Sequence, residues 1–139
     1  KDFSQKEPFE LEIINTLIKY DVELVVMAGW MKIVSPFFIN KFRNKIINIH
    51  PSLLPSYKGG SAIKDSLLYG SKITGCSVHY VEEEVDSGSL IMQAALSIRD
   101  DDDIESLSKK IQILEHKILP HSISHTGYLI RSDLRKVIS

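Results

Sequence analysis

Apolar residues recur along the chain with two different periods. Residues 8–20 place Phe9, Ile13, Ile14, Leu17 and Ile18 at helical spacing, with Glu10, Glu12 and Lys19 on the other side, which predicts an amphipathic helix. Asp21 is a turn residue, and residues 22–28 (VELVVMA) form a nearly continuous apolar run that predicts a strand buried on both faces of a parallel sheet and ended by Gly29. Ser35 and Pro36 make an N-cap followed by a proline at the first helical position, opening a short helix through Phe37, Phe38 and Phe42. Residues 45–49 read as strand, and residues 61–69 as a helix closed by Gly70. Residues 74–81 and 90–98 are β-rich and separated by Asp86, Ser87 and Gly88, as in an antiparallel pair. Residues 103–119 repeat Ile104, Leu107, Ile111, Leu114 and Ile118 along one stripe, with Glu105 and Lys109 four apart outside it, and Pro120 ends or kinks that helix. No repeat, low-complexity segment or linker interrupts this order, so one α/β unit over residues 1–139 is expected.

Bulk properties narrow the function classes. A chain of 139 residues, 43% hydrophobic and 25% charged, is large enough for one real core. Its 17 Lys plus Arg against 18 Asp plus Glu leave no basic surplus for a polyanion or an anionic membrane, so neither nucleic acid nor membrane is an expected partner. Cys76 is alone, which removes an intrachain disulfide framework and a cysteine zinc site and fits a reducing compartment, with the cytoplasm as the expected location. The first residue is Lys1 rather than Met, which reads as a fragment or processed piece.

Within the stretch IINIHPSLLPSYKGG, residues 46–60, two polar groups stand among isoleucines. Strand side chains alternate faces, so Asn48 and His50 share one face while Ile47 and Ile49 take the other. Both polar residues lie at the C-terminal end of their strand, where open α/β sheets place ligands, and Pro51 favours an extended His50. A structural role, with Asn48 satisfying a loop and His50 capping the strand end, is the competing reading.

The second feature is Asp86, a carboxylate in a turn between two β-rich stretches, preceded by Glu82, Glu83 and Glu84. Asp86 with Gly88 equally fits plain turn chemistry. Folded beside His50, however, the carboxylate would favour and orient an imidazolium, and the amide of Asn48 would supply electrophilic help. An Asn, His and Asp set of this kind can run acyl transfer to an external nucleophile, with amide and imidazolium stabilising the oxyanion.

At these residues the sequence resembles the phosphoribosylglycinamide formyltransferases, also called glycinamide ribonucleotide transformylases, of purine biosynthesis. The likeness runs from VELVVMAGWMKIVSP through IINIHPSLLPSYKGG and TGCSVHYVEEEVDSGSLIMQ to LEHKILP, with Asn-x-His-Pro-Ser-Leu-Leu-Pro as its specific motif. It implies the C-terminal part of a doubly wound, mostly parallel α/β sheet with an antiparallel strand pair near the active site. It further implies that Asn48, His50 and Asp86 are the catalytic trio of a formyl transfer from N10-formyltetrahydrofolate, with no metal, to the amine of glycinamide ribonucleotide. By the same resemblance, Met31, Lys32, Ile33 and Val34, together with the backbone around Val81, Glu82, Glu83 and Val85, embrace the pterin of the folate, and Pro51 and Glu115 meet the ribonucleotide. Without the resemblance, Glu115 reads as a solvated helix glutamate.

The family begins with a strand and a glycine-rich phosphate-binding loop that have no counterpart here, and Gly59-Gly60 lacks the strand, loop and helix context to replace them. A separate chain supplying that segment is one expectation, and a non-catalytic fragment is another. Among relatives sharing the trio, methionyl-tRNA formyltransferase would carry His-Ala-Ser and Arg-Gly-Ala-Ala where this chain has Pro51 and Ser56-Tyr57-Lys58-Gly59-Gly60; formyltetrahydrofolate deformylase would carry a second His at Pro51. A metal hydrolase using His50, His79 and Asp86 is the remaining alternative, although no His-Glu-x-x-His is present. The four aspartates at 100–103 precede a helix and read as capping and first-turn residues.

Overall fold

The structure, a computed structural model, describes residues 6–29 and 34–138. Its elements in chain order are α1 (Lys6–Lys19), β1 (Val25–Met27), α2 (Pro36–Lys41), β2 (Ile46–His50), α3 (Ala62–Tyr69), β3 (Ile73–Tyr80), β4 (Leu90–Ser97) and α4 (Ile104–Ile138). The strands form one sheet in the order β1-β2-β3-β4. β1 and β2 are parallel, with Met27 opposite Asn48; β2 with β3, and β3 with β4, are antiparallel. The α/β class and the antiparallel pair follow the sequence pattern, and among the described residues one of the three pairings is parallel. The connection from β2 through α3 brings the chain back alongside the strand it has just left, so residues 51–60 stay beside the end of β2.

β2 is covered on both faces. Ile46 packs with Ile14, Met27, Val34, Phe38, Ile39 and Phe42 beneath α1 and α2. Ile47 and Ile49 face the other way and pack with Cys76, Val78 and the α4 stripe of Leu107, Ile111 and Ile118. Each such side chain, fully buried, contributes roughly 1.5–3 kcal/mol of transfer free energy. One face of β2 therefore runs from a core position, Ile46, to two polar ones, Asn48 and His50, where the helical cover stops.

Helix ends follow their local chemistry. Ser35 caps α2, its Oγ accepting from the Phe38 amide at 3.4 Å, and Pro36 sits in the first turn. Gly70 closes α3 with φ +83°. Asp103 caps α4: its Oδ1 accepts from the Ser106 amide at 2.8 Å, while the Ser106 hydroxyl accepts from the Asp103 amide at 3.0 Å. Glu105 and Lys109 pair at 3.1 Å.

Three expectations are corrected. The apolar run 22–28 forms only a three-residue strand, because residues 22–24 serve as the link from α1, with the Val22 amide bonded to the Leu17 carbonyl. Pro120 does not end α4, which passes through it and continues to Ile138; Pro120 is exposed, so the carbonyl it leaves unbonded can be solvated. Glu10 does not face water: it is 4% exposed and accepts from both the amide (3.0 Å) and the hydroxyl of Ser35. A buried carboxylate is tolerated only with such partners, and this one ties α1 to the start of α2.

Candidate active site

Register sets the polar floor of the site. In antiparallel pairs, directly opposed residues share a face, and Asn48 opposes His79, His50 opposes Ser77, and Ser77 opposes Gln93. Five polar side chains from three strands thus form one patch. Ser77 is fully buried: its hydroxyl donates to the Ser52 carbonyl at 2.7 Å and accepts from the Leu54 amide and from Gln93 Nε2, each at 3.0 Å. Gln93 also donates to the Leu54 carbonyl at 3.1 Å. These bonds hold the Pro-Ser-Leu-Leu-Pro segment against the sheet beside His50.

Asp86 lies beside His50, the arrangement that the sequence left open against plain turn chemistry. It lies in the loop 81–89 between β3 and β4, in left-handed conformation with φ +53°. Gly88 packs so closely on Tyr80 that a Cβ there would run into the Tyr80 carbonyl, and the Tyr80 amide bonds to the Ser89 carbonyl at 2.9 Å. The folded-back loop places Asp86 Oδ2 3.5 Å from His50 Nδ1 and Oδ1 3.5 Å from His79 Nε2, all three side chains being less than a tenth exposed. The Gly59 amide donates to Oδ2 at 2.9 Å and holds the carboxylate.

The second ring nitrogen of each histidine faces a backbone carbonyl. His50 Nε2 lies 2.8 Å from the Tyr57 carbonyl, and His79 Nδ1 lies 2.8 Å from the Tyr80 carbonyl. Carbonyls only accept, so both of these nitrogens carry hydrogen. Burial lowers the His79 pKa, against the opposing pulls of the Tyr80 carbonyl and Asp86. A neutral His79 then turns a bare Nε2 towards Asp86, consistent with the lack of a hydrogen-bond partner for that atom among the described residues.

Both histidines and Asp86 line a cavity of about 890 Å³, within the size range of small-molecule sites. Asn48, His50, Pro51 and Asp86 are on its wall. Met27, Gly29, Val34, the segment Val81, Glu82, Glu83, Glu84 and Val85, residues 59–64 and the α4 residues Ile104, Ser108 and Glu115 also line it. The Asn48 amide makes no hydrogen bond to another described residue, leaving its donors to the cavity. Glu115 is half-buried rather than a solvated helix residue; burial raises its pKa, opposed by His116 and His50. Met31, Lys32 and Ile33 lie outside the described residues. The aspartates 100–103 are not on this wall, and only two of them serve the α4 start: Asp103 caps it, and Asp102 accepts from the Arg99 amide and binds Lys110 at 2.7 Å, the contact that leads the causes lowering its pKa to about 2, whereas Asp100 and Asp101 make exposed pairs with Lys72 and Arg99.

His50, His79 and Asp86, the set weighed for a metal, do meet. Yet the two imidazoles contact different oxygens of one carboxylate, and among the described residues no group of three His, Cys, Asp or Glu side chains is arranged to hold a metal ion. The sequence offered His79 only as a metal ligand; its place beside Asn48 follows from register, since on its own strand it stands between Val78 and Tyr80, which reads as core. Ser77, Gln93 and the Gly59 amide carried no signal of their own.

The formyl transferase family model matches residues 1–123. The chain belongs to the formyl transferase family. It is 43% identical over 135 residues to a trifunctional purine biosynthetic protein adenosine-3 of Chironomus tentans, covering 96% of this chain and 10% of that protein, and 42% identical to the Gallus gallus protein of the same name, covering 88% and 12%. Among solved structures, the phosphoribosylglycinamide formyltransferase of Bacillus halodurans superposes with a TM-score of 0.82 at 40% identity, covering 85% of this chain and 61% of that one. The enzyme of that name from Anaplasma phagocytophilum gives 0.79 at 45% identity, covering 81% and 54%. The chain thus spans about a tenth of those trifunctional relatives and little more than half of these two bacterial formyltransferases. In each relative the matched region is part of one continuous polypeptide, which runs against a separate chain as the source of the phosphate-binding segment.

Proposed function

We propose that this formyl transferase moves a formyl group from N10-formyltetrahydrofolate to the primary amine of glycinamide ribonucleotide, in the cytoplasm. The observation that carries this reading is the convergence of Asn48, His50 and Asp86 on one cavity wall; the names of the relatives supply the substrates. The amine nitrogen attacks the formyl carbon, whose C=O pair moves onto oxygen. The oxyanion then collapses, the bond from carbon to N10 breaks, N10 takes a proton and the amine gives one up. The Asn48 amide, free to donate into the cavity, stabilises the oxyanion, an interaction worth ~2.7 to 4 kcal/mol in comparable sites. His50 adds a donor, and Asp86 Oδ1 and His79 Nε2, two acceptors facing each other at 3.5 Å, receive the amine proton.

Substrate fit follows the lining of the cavity. Met27, Val34, Val81 and Val85 offer an apolar slot to a flat heterocycle, with backbone groups of 81–85 available to its edge. Pro51 and Glu115 also line the cavity, and Glu115 would accept from the ribonucleotide. An assay of the whole gene product with N10-formyltetrahydrofolate and, in turn, glycinamide ribonucleotide, methionyl-tRNA or water as acceptor tests this. Only the ribonucleotide should be formylated efficiently; formate release without an amine, or preference for the tRNA, would overturn the assignment.

A further inference from the structure

Tyr57 touches His50 through its backbone, and nothing in the sequence motif assigns it a role. Its φ of +55° is in the left-handed region, a cost of order 1 kcal/mol or more for a residue with a side chain. Its side chain holds it there: the hydroxyl shares a hydrogen bond with Ser71 Oγ, and the ring meets Tyr69 edge-on with centroids 6.3 Å apart. In that conformation the Tyr57 carbonyl lies 2.8 Å from His50 Nε2, whereas Nδ1 stands 3.5 Å from Asp86, longer than a hydrogen bond. Nε2 is committed to the backbone; Nδ1 is the nitrogen left for the cavity.

We propose that Tyr57 is a positioning residue for the formyl transfer: its carbonyl fixes the ring of His50 and its Nε2–H tautomer, so that Nδ1, once protonated, is the donor directed between Asp86 and the forming oxyanion. This rests on the function proposed above. The proton at Nδ1 is shared with the oxyanion, and no bond to Tyr57 is made or broken. Loss of the anchor lets the ring rotate and the neutral tautomers mix, which lowers the rate of the chemical step and leaves ground-state binding in place.

The test is made on the whole gene product with Tyr57→Ala, Tyr57→Phe and Ser71→Ala. Tyr57→Ala should lower kcat about 10-fold, the loss of one well-made hydrogen bond, with both KM values within about 2-fold of wild type. Tyr57→Phe, which keeps the ring against Tyr69, should recover most of that rate, and Ser71→Ala should match it. Independently, NMR of protein labelled with 15N-histidine should show neutral wild-type His50 protonated at Nε2, and a mixture of tautomers in Tyr57→Ala. An Nδ1–H tautomer in the wild type, or unaltered kcat and tautomer in Tyr57→Ala, overturns the proposal. The wild-type spectrum is read without substrate and without any variant having to fold, so inactivity towards the ribonucleotide overturns the functional reading separately.

Discussion

Asp86 stands between two imidazoles and a backbone amide, and its two oxygens divide the work. Oδ2 takes the Gly59 amide and faces His50; Oδ1 faces His79. Truncating either partner of the His50–Asp86 pair leaves the other buried without its counterpart, so the two residues should act as one unit. His50→Ala and Asp86→Ala are each expected to lower kcat by about 10²-fold or more, the scale of a lost proton-transfer or oxyanion group. Because the second substitution removes a group that has already lost its function, the double variant should fall little below the worse single one. Kinetics of the four proteins check this, and losses that multiply in full would show two independent residues.

Elements matter here mainly through their ends. The start of α4 is fixed by Asp102, whose side chain binds Lys110, the Arg99 amide and the Ser106 hydroxyl, lowering its pKa from 3.8 to about 2. A carboxyl with a depressed folded pKa stabilises the fold above its unfolded pKa, and loses that contribution as the pH falls through the folded one. Asp102→Asn should therefore lower the urea midpoint at pH 7, and the gap from wild type should close between about pH 4 and pH 2. A gap of constant size over that range would assign the effect to packing instead. The α4 stripe, the α2 cap and the antiparallel pair were legible because each is written in neighbouring residues: an apolar period, a Ser-Pro start, a Gly end. Asn48 and His50 were legible for a similar reason, as polar residues two apart at the end of an apolar strand. What the sequence could not show depends on partners far along the chain. Glu10 is buried because Ser35 meets it, and His79 belongs to the site because β3 pairs with β2 in one particular register. Asp86 looked like turn chemistry until the tight packing of Gly88 on Tyr80 folded its loop over the strand ends.

At the scale of the molecule the sheet is unevenly protected. β4, the other edge, is flanked by β3 and packed by α4, which also covers one face of β2. β1 has only three paired residues, bonded to β2, and among the described residues no strand lies on its other side. Val25 and Val26 are half-buried there, and the strand has neither proline nor lysine to discourage pairing with another chain. Arg131 of α4 reaches Glu23 at 3.2 Å just before β1, but both side chains are largely exposed, and such a pair gives little protection. Unpaired strand groups beside apolar side chains are a template for association, and the same two features recruit further chain where a longer polypeptide supplies it. The 139 residues prepared alone are thus expected to self-associate, with a weight-average mass in sedimentation equilibrium that rises with concentration, whereas a longer natural polypeptide carrying them should keep this edge covered. A short segment at this edge that exchanges its amide hydrogens rapidly in the 139-residue piece and slowly in the longer protein would locate the contact at β1. A concentration-independent monomer with slow exchange at Val25 and Val26 would show that the edge needs no partner.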